Sequence, residues 1–257
     1  MANSCLVEKL GHYLRLSPND AERLARLEHE SEELPAQSLL RAAGAPVRRL
    51  YVVKRGWLYE YSHLPNGSRQ VAHIHYPGDL VGLTDVAFER ATLSLAAVSD
   101  ATVCPFPKSA LDQIFIHSPA LSALLFSLGM VEHAVLSDRL RIMARSGAVE
   151  RVTHFLLEVV SRLRITHPDI GEGFSLPMTQ ELLGDAIGLS NVYVSRALSE
   201  LQQRGWIERR ARRIRLLNED AMRAAVDFND RHFRIDTSWF PGALSVSEGA
   251  PSLSLRA

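Results

Sequence analysis

Cysteine is nearly absent from this sequence, and the two that occur, Cys5 and Cys104, stand far apart without metal-ligand spacing. That excludes a disulfide framework, a zinc ribbon and a four-cysteine iron–sulfur cluster. Net charge is missing too. The 29 lysines and arginines balance 29 aspartates and glutamates, so the chain is no wholesale polyanion binder and any basic surface must be local. No unbroken run of 18 apolar residues exists, and Met1 to Leu10 carries Glu8 and Lys9 in place of a basic flank and apolar core. Neither a membrane span nor a signal peptide is expected, which predicts a cytoplasmic protein without a membrane partner. Catalytic signatures are lacking as well: there is no Gly-rich phosphate loop, nucleophile elbow or paired-carboxylate site, so no enzyme is expected.

One charged stretch does stand out. Between Asn191 and Arg215 lie seven arginines (196, 204, 209, 210, 212, 213 and 215) against Glu200 and Glu208, a local excess of five positive charges. A chain of 257 residues has room for two domains, and its patterning changes character along its length. From Leu34 to Val103, short apolar or alternating runs (Arg49 to Val53, Gly56 to Tyr61, Gln70 to Tyr76) are separated by turn residues, notably Asn66-Gly67 and Pro77-Gly78-Asp79. Asn-Gly between alternating runs predicts a hairpin, because both residues tolerate positive φ. Closely spaced strands of this kind predict an antiparallel sandwich or roll.

From Pro119 to about Ile142 the apolar residues recur at helical spacing, predicting a single helix of about 25 residues and about 37 Å. That exceeds what one small core needs, so Leu121, Leu124, Leu128, Val131 and Val135 are the candidates for pairing with a second subunit. Gly147 interrupts the pattern, and a second amphipathic helix follows through Val149, Val152, Phe155, Leu156, Val159 and Leu163.

Residues 175 to 217 predict helix, turn, helix and two short strands. Thr179 is placed to cap the first helix and Ser190 the second. Gly184 sits where two helices must cross closely, and Gly188 where the chain turns sharply with positive φ. Leu183, Ile187, Leu189, Val194 and Leu198 form the small core of the pair. The outer face of the second helix keeps Asn191, Val192, Ser195 and Arg196 for the major groove of double-stranded DNA. Arg196 can bond guanine O6 and N7 together or clamp a phosphate, Asn191 and Ser195 can bond a base or phosphate, and Val192 suits a thymine methyl. The hairpin behind, with Arg209, Arg210, Arg212 and Arg213, reads as a wing laying cations along the backbone. Thr179, Gln180 and Ser190 complete the candidate DNA contacts.

On these residues the chain, from Ala21 to Phe233, resembles the CRP/FNR family of bacterial transcription regulators. The likeness lies in Leu50 to Trp57, Leu64 to Gln70, Pro77 to Leu83, Leu176 to Glu181, Gly188 to Ser190 and Val194 to Leu198. It implies an α+β protein: an antiparallel β-roll (double-stranded β-helix) sensor resembling cyclic-nucleotide-binding domains over 21–117, after an N-terminal segment at 1–20. A dimerisation helix at 118–146, a winged helix-turn-helix at 147–220 and a C-terminal helix within 221–257 would follow; after Thr237 the chain, rich in Ser, Leu, Pro and Gly and without a period, is expected to be a mobile tail. It further implies a homodimer on a palindromic operator, contact with RNA polymerase, and a guanine contact for Arg196. Asp79, Leu80, Arg90, Ala91 and Thr92 would lie at the effector pocket. Cyclic-nucleotide binders of the family hold phosphate with an Arg-Ser pair and ribose with a Glu, where this chain has Arg90-Ala91 and Asp79. The lost hydroxyl and shortened acid argue against a cyclic nucleotide, leaving the effector unassigned and no cofactor expected. The oxygen-sensing members have an N-terminal cysteine cluster, which Cys5 alone does not make, and Val192 replaces a recognition-helix glutamate.

Two other patterns bear on function. His73 and His75, two apart on a strand, point to one face and could ligate a metal as in a cupin-like metalloprotein, but no third ligand stands at a fixed spacing and no metal site is assigned. Cys104 is expected to pack as a small apolar residue. A constitutive DNA binder with a vestigial sensor fits the same residues.

Overall fold

The computed structural model describes residues 4–167, 170 and 173–242. Two short helices, each capped by a serine, precede the strands: α1 (Cys5–Gly11) lies within the expected N-terminal segment 1–20, and α2 (Pro18–Arg26) crosses its boundary into the range expected for the roll. Ser4 Oγ accepts from Val7 N and Ser17 Oγ from Asp20 N, each meeting an otherwise orphan helix donor. Eight strands follow: β1 (Glu32–Leu34), β2 (Leu39–Arg41), β3 (Arg49–Arg55), β4 (Leu58–His63), β5 (Arg69–His75), β6 (Leu80–Val81), β7 (Ser94–Ala97) and β8 (Ala101–Pro107). They form two antiparallel sheets, ordered β1-β8-β3-β6 and β2-β7-β4-β5. Leu34, Tyr51, Val53, Val81 and Val103 of one sheet meet Leu58, Leu95 and Ala97 of the other in a shared core, the packed faces of a roll.

The hairpin expected at Asn66-Gly67 joins β4 and β5. Only Gly67 (φ 82) of the Asn66-Gly67 pair is left-handed. Leu64 O accepts from Gly67 N at 2.9 Å and Leu64 N donates to Ser68 O at 2.8 Å, so the loop is longer than a two-residue hairpin and needs positive φ only at its last position.

α3 (Leu111–His117) leads through Ser118 into α4 (Pro119–Arg145), 27 residues and about 40 Å long. By length and composition α4 could cross a membrane, with a mean hydropathy of 1.6 over 18 residues, although no unbroken apolar run marks it. The stripe proposed for subunit pairing is not the free one. Leu121, Leu124 and Val135 are buried within the protomer, Leu121 and Leu124 against α1 and α3, while Leu128 and Val131 are half-buried. The face left open runs through Phe126, Met130, His133, Ser137 and Leu140, spaced alternately four and three apart and all exposed. Counting apolar residues could not separate the two stripes, because the N-terminal helices claim the richer one.

After Gly147, α5 (Ala148–Arg164) is buried nearly all round. Around it sit β9 (Phe174–Ser175), α6 (Gln180–Ile187), α7 (Asn191–Gln203), β10 (Ile207–Arg210), β11 (Arg213–Leu216) and α8 (Glu219–Val226), with a three-stranded sheet β10-β11-β9. The junction at Gly147 is not a gap in packing. Trp57, Tyr59, Val71, Ile74 and Tyr76, from β4, β5 and the loops flanking them, share one apolar cluster with Phe155, Leu156, Val159, Leu183 and Ile187.

The C-terminal segment is docked on the molecule, and of the tail expected to be mobile after Thr237 the part up to Gly242 is held through Phe240; the expectation for 243–257 lies outside the described residues. Arg231 pairs with Asp138 of α4, Tyr13 Oη donates to His232 O at 2.7 Å, and Phe240 is buried among Leu6, Leu10, Leu24 and Leu121. Isolated aromatics in a Ser- and Pro-rich stretch carry no periodicity, so their docking was invisible in sequence.

Candidate nucleic-acid interface

The α6–α7 corner is set by small residues at fixed places. Thr179 Oγ1 caps α6 by accepting from Leu182 N at 3.1 Å. Gly184 receives Leu189 so closely that a Cβ there would lie 2.3 Å from Leu189 O. Gly188, at φ 67 and ψ 41, ends α6 in the left-handed region that a side chain would resist. Ser190 takes the N-cap backbone position of α7, but its side chain makes no capping hydrogen bond, which leaves the hydroxyl available. Leu183, Ile187, Val194 and Leu198 are buried in the corner, and Leu189 packs against them half-buried.

A residue absent from the sequence reading braces this corner. The Arg151 guanidinium donates to Met143 O at 2.6 Å, Ser146 O at 3.1 Å, Ile187 O at 3.4 Å and Gly188 O at 3.3 Å. One side chain thus satisfies the carbonyl ends of both α4 and α6. A second tie comes from the roll, where Arg69 lies over Tyr59 and Tyr61 and pairs with Asp185 at 2.7 Å.

The buried stripe of α7 leaves Asn191, Val192, Ser195 and Arg196 outward, with Val192 58% exposed. Among the described residues no ion pair or hydrogen bond engages the Arg196 side chain. Ser195, Arg196, Ser199, Glu200, Gln203 and Arg204 line one open groove on this face. Tyr193, 55% exposed in the first turn, was missed; its aromatic character suggested core, but only Val194, Ala197, Leu198 and Leu201 point inward. The wing β10–β11 turns at Ala211 (φ 53) and presents Arg210, Arg212 and Arg213 exposed. Arg210 pairs with Glu208 at 2.7 Å. Arg209 points back, half-buried: with the Gln180 amide oriented to satisfy both its ends, Gln180 accepts from Arg209 at 3.2 Å and donates to Asn191 Oδ1 at 3.0 Å. Gln180 and Arg209 therefore hold Asn191, and the wing and recognition helix are joined.

The effector candidates separate. Asp79 is buried with its carboxylate bonded to Lys9, to Arg162 at 2.7 Å and to Tyr76 N at 2.7 Å. Burial opposes its ionisation, but Arg162 and Lys9 outweigh it and hold its pKa well below the carboxylate range. Asp79 and Leu80 line a cavity of about 460 Å³ between the roll and α4. Arg90, Ala91 and Thr92 do not. Arg90 donates to Gly44 O at 2.8 Å, Ala91 is buried, and Thr92 bonds Asp85. The rings of His73 and His75 lie 6.3 Å apart on one face, and no set of three ligating groups fit for a metal occurs among the described residues. Cys104 is buried in an apolar cluster, its thiol pKa pushed up to about 11 by burial.

Residues 31–118 match the model of a cyclic nucleotide-binding domain and residues 150–225 that of a Crp-like helix-turn-helix domain. The chain belongs to the CRP/FNR family of transcription regulators. Among CRP/FNR relatives, the transcriptional activator protein FnrA of Stutzerimonas stutzeri is 25% identical over 214 residues, covering 83% of this chain and 87% of that protein. The fumarate and nitrate reduction regulatory protein of Escherichia coli K12 is 24% identical over 218 residues, 85% and 87% of the two chains. FixK2 from Bradyrhizobium japonicum superposes with a TM-score of 0.68 at 28% identity, covering 76% of this chain and 96% of its own. CooA from Carboxydothermus hydrogenoformans, at 16% identity and a TM-score of 0.61, shares the fold over 88% of this chain and 97% of its own. Like other CRP/FNR regulators, this chain joins a sensor domain to a helix-turn-helix DNA-binding domain.

Proposed function

We propose that the chain works as a homodimer that reads a palindromic operator in the cytoplasm, inserting α7 of each protomer into successive major grooves about 34 Å apart. The observation that carries this is the exposed face of α7, where Ser195 and Arg196 stand beside an arginine-bearing wing. Pairing is supported by the seam Phe126, Met130, His133, Ser137 and Leu140, whose four-three spacing is that of a coiled coil. Arg196 would read guanine, Val192 a thymine methyl, and the wing arginines the phosphates. Occupancy of the roll would shift α4 and so the separation of the two α7 helices, with RNA polymerase as the downstream partner. Selection of bound duplexes from random DNA, with sedimentation of the protein alone, tests the reading; a monomer without sequence preference overturns it.

A further inference from the structure

The floor of the cavity between the roll and α4 is built from Glu60, His73 and His75 on β4 and β5, where Glu60 and His73 are directly opposite partners. Glu60 is 1% exposed, yet its Oε1 has no hydrogen-bond partner among the described residues. His75 Nε2 lies 3.4 Å from Glu60 Oε2 and makes no hydrogen bond either. Native folds seldom leave such atoms orphaned in the interior, and two on one wall of a cavity point to a polar group that belongs there. The walls are apolar, with Leu10, Leu83, Leu111, Leu125 and Phe126 among them, and the volume is that of a small-molecule site.

Charge decides what could enter. Lys9 and Arg162 answer Asp79 and Glu132, and Arg139 answers Glu158. Arg41, behind the floor, is taken by Asp85 in direct contact and stands 3.8 Å from Glu60. One guanidinium therefore faces two carboxylates, leaving the floor with one negative charge. Burial would raise the Glu60 pKa, but the close neighbours His75, His73 and Arg41 together outweigh it and hold it below the ordinary carboxylate value. Each lysine and arginine of the lining is matched by a carboxylate, so no net positive charge remains for a phosphate or carboxylate even though Arg162 Nε in the lining, and Arg41 Nε and Nη1 behind the floor, make no hydrogen bond, and Arg90 and Ala91 lie outside the lining.

We propose that this cavity binds a small non-anionic amphiphile whose hydrogen-bond donor, a hydroxyl or amine on an apolar body, seats on Glu60 Oε1 beside His75. The inference rests on the regulator reading for its consequence but not for its test, which uses no DNA. A donor on Glu60 gains a charge-assisted hydrogen bond, whereas an anion there meets like charge at a buried floor.

The experiment is a fluorescence titration of the full-length protein with a matched pair of probes, 1-aminoanthracene and 1-anthracenecarboxylate, with cyclic AMP as competitor. Saturable binding of the amine at least about tenfold tighter than the carboxylate is expected, with no displacement by cyclic AMP, and Glu60→Gln should bring the ratio towards unity. Tighter binding of the carboxylate, displacement by cyclic AMP, or no saturable binding of the amine to folded protein overturns the proposal. The wild-type ratio decides this even if Glu60→Gln fails to fold, and a folded Glu60→Gln with an unchanged ratio removes Glu60 as the anchor.

Discussion

Arg162, in the first helix of the DNA-binding domain, donates to the Asp79 carboxylate of the sensor roll at 2.7 Å across 83 positions of chain. The same guanidinium reaches Glu132 of α4 at 2.5 Å and the His232 ring at 3.3 Å, while Lys9 of α1 bonds the other oxygen of Asp79. Five segments distant in sequence thus meet at one buried charge cluster. Removing one member strands the others away from water.

Asp79→Asn is therefore expected to destabilise the chain by about 3–5 kcal/mol, because Arg162 keeps its charge in a dry site and Lys9, whose pKa burial already lowers, loses its carboxylate. Thermal unfolding checks it. In a double-mutant cycle with Arg162→Met, the pair should lose less than the two single changes combined.

The cluster also sets a pH dependence. Burial, then the neighbouring Arg162, depress the His232 pKa to about 4, so the folded protein binds fewer protons there than the unfolded chain. Its contribution is fully present above the ordinary histidine range near 6.5 and is lost as pH falls towards about 4. Glu132, held to about 2 by Arg162 and His232 against its burial, loses its contribution below the ordinary carboxylate range. Stability measured by denaturant between pH 7 and pH 4 should fall, and His232→Gln should flatten that slope.

Gly184→Val would place a Cβ 2.3 Å from a backbone carbonyl, which cannot rotate away. We expect a loss of about 1–3 kcal/mol from overpacking and weakened DNA binding through the displaced α7. Calorimetry of the melt and DNA titration report the two effects.

Arg196→Ala should weaken the selected operator by about 1–3 kcal/mol and relax preference at one position per half-site without moving the melting temperature. Arg212→Ala, on the exposed wing, should weaken all duplexes alike and reduce the salt slope by about one unit. Fluorescence anisotropy at several salt concentrations separates them.

Leu140 is 68% exposed on α4. Leu140→Asp would put a charge into the seam and is expected to weaken self-association by about tenfold or more, seen by sedimentation, whereas a change at buried Leu121 should lower stability first.

The sequence by itself determined the local pieces. The Thr179 cap, the close approach at Gly184, the left-handed turn at Gly188 and the outward set Asn191, Val192, Ser195 and Arg196 follow from spacing, because a helix pair imposes its steric demands within about 20 residues. The strand runs and the break at Gly147 follow likewise from period and turn chemistry. Tertiary structure decided which face of α4 stays open, that Arg151 ties the end of α4 to the α6–α7 corner, that Asp79 serves an ion-pair cluster, and that 227–242 dock on α1 and α4. Each of these depends on a partner more than about 30 positions away or on competition between faces of similar hydrophobicity. Periodicity reports that a face is apolar; only packing assigns it a neighbour.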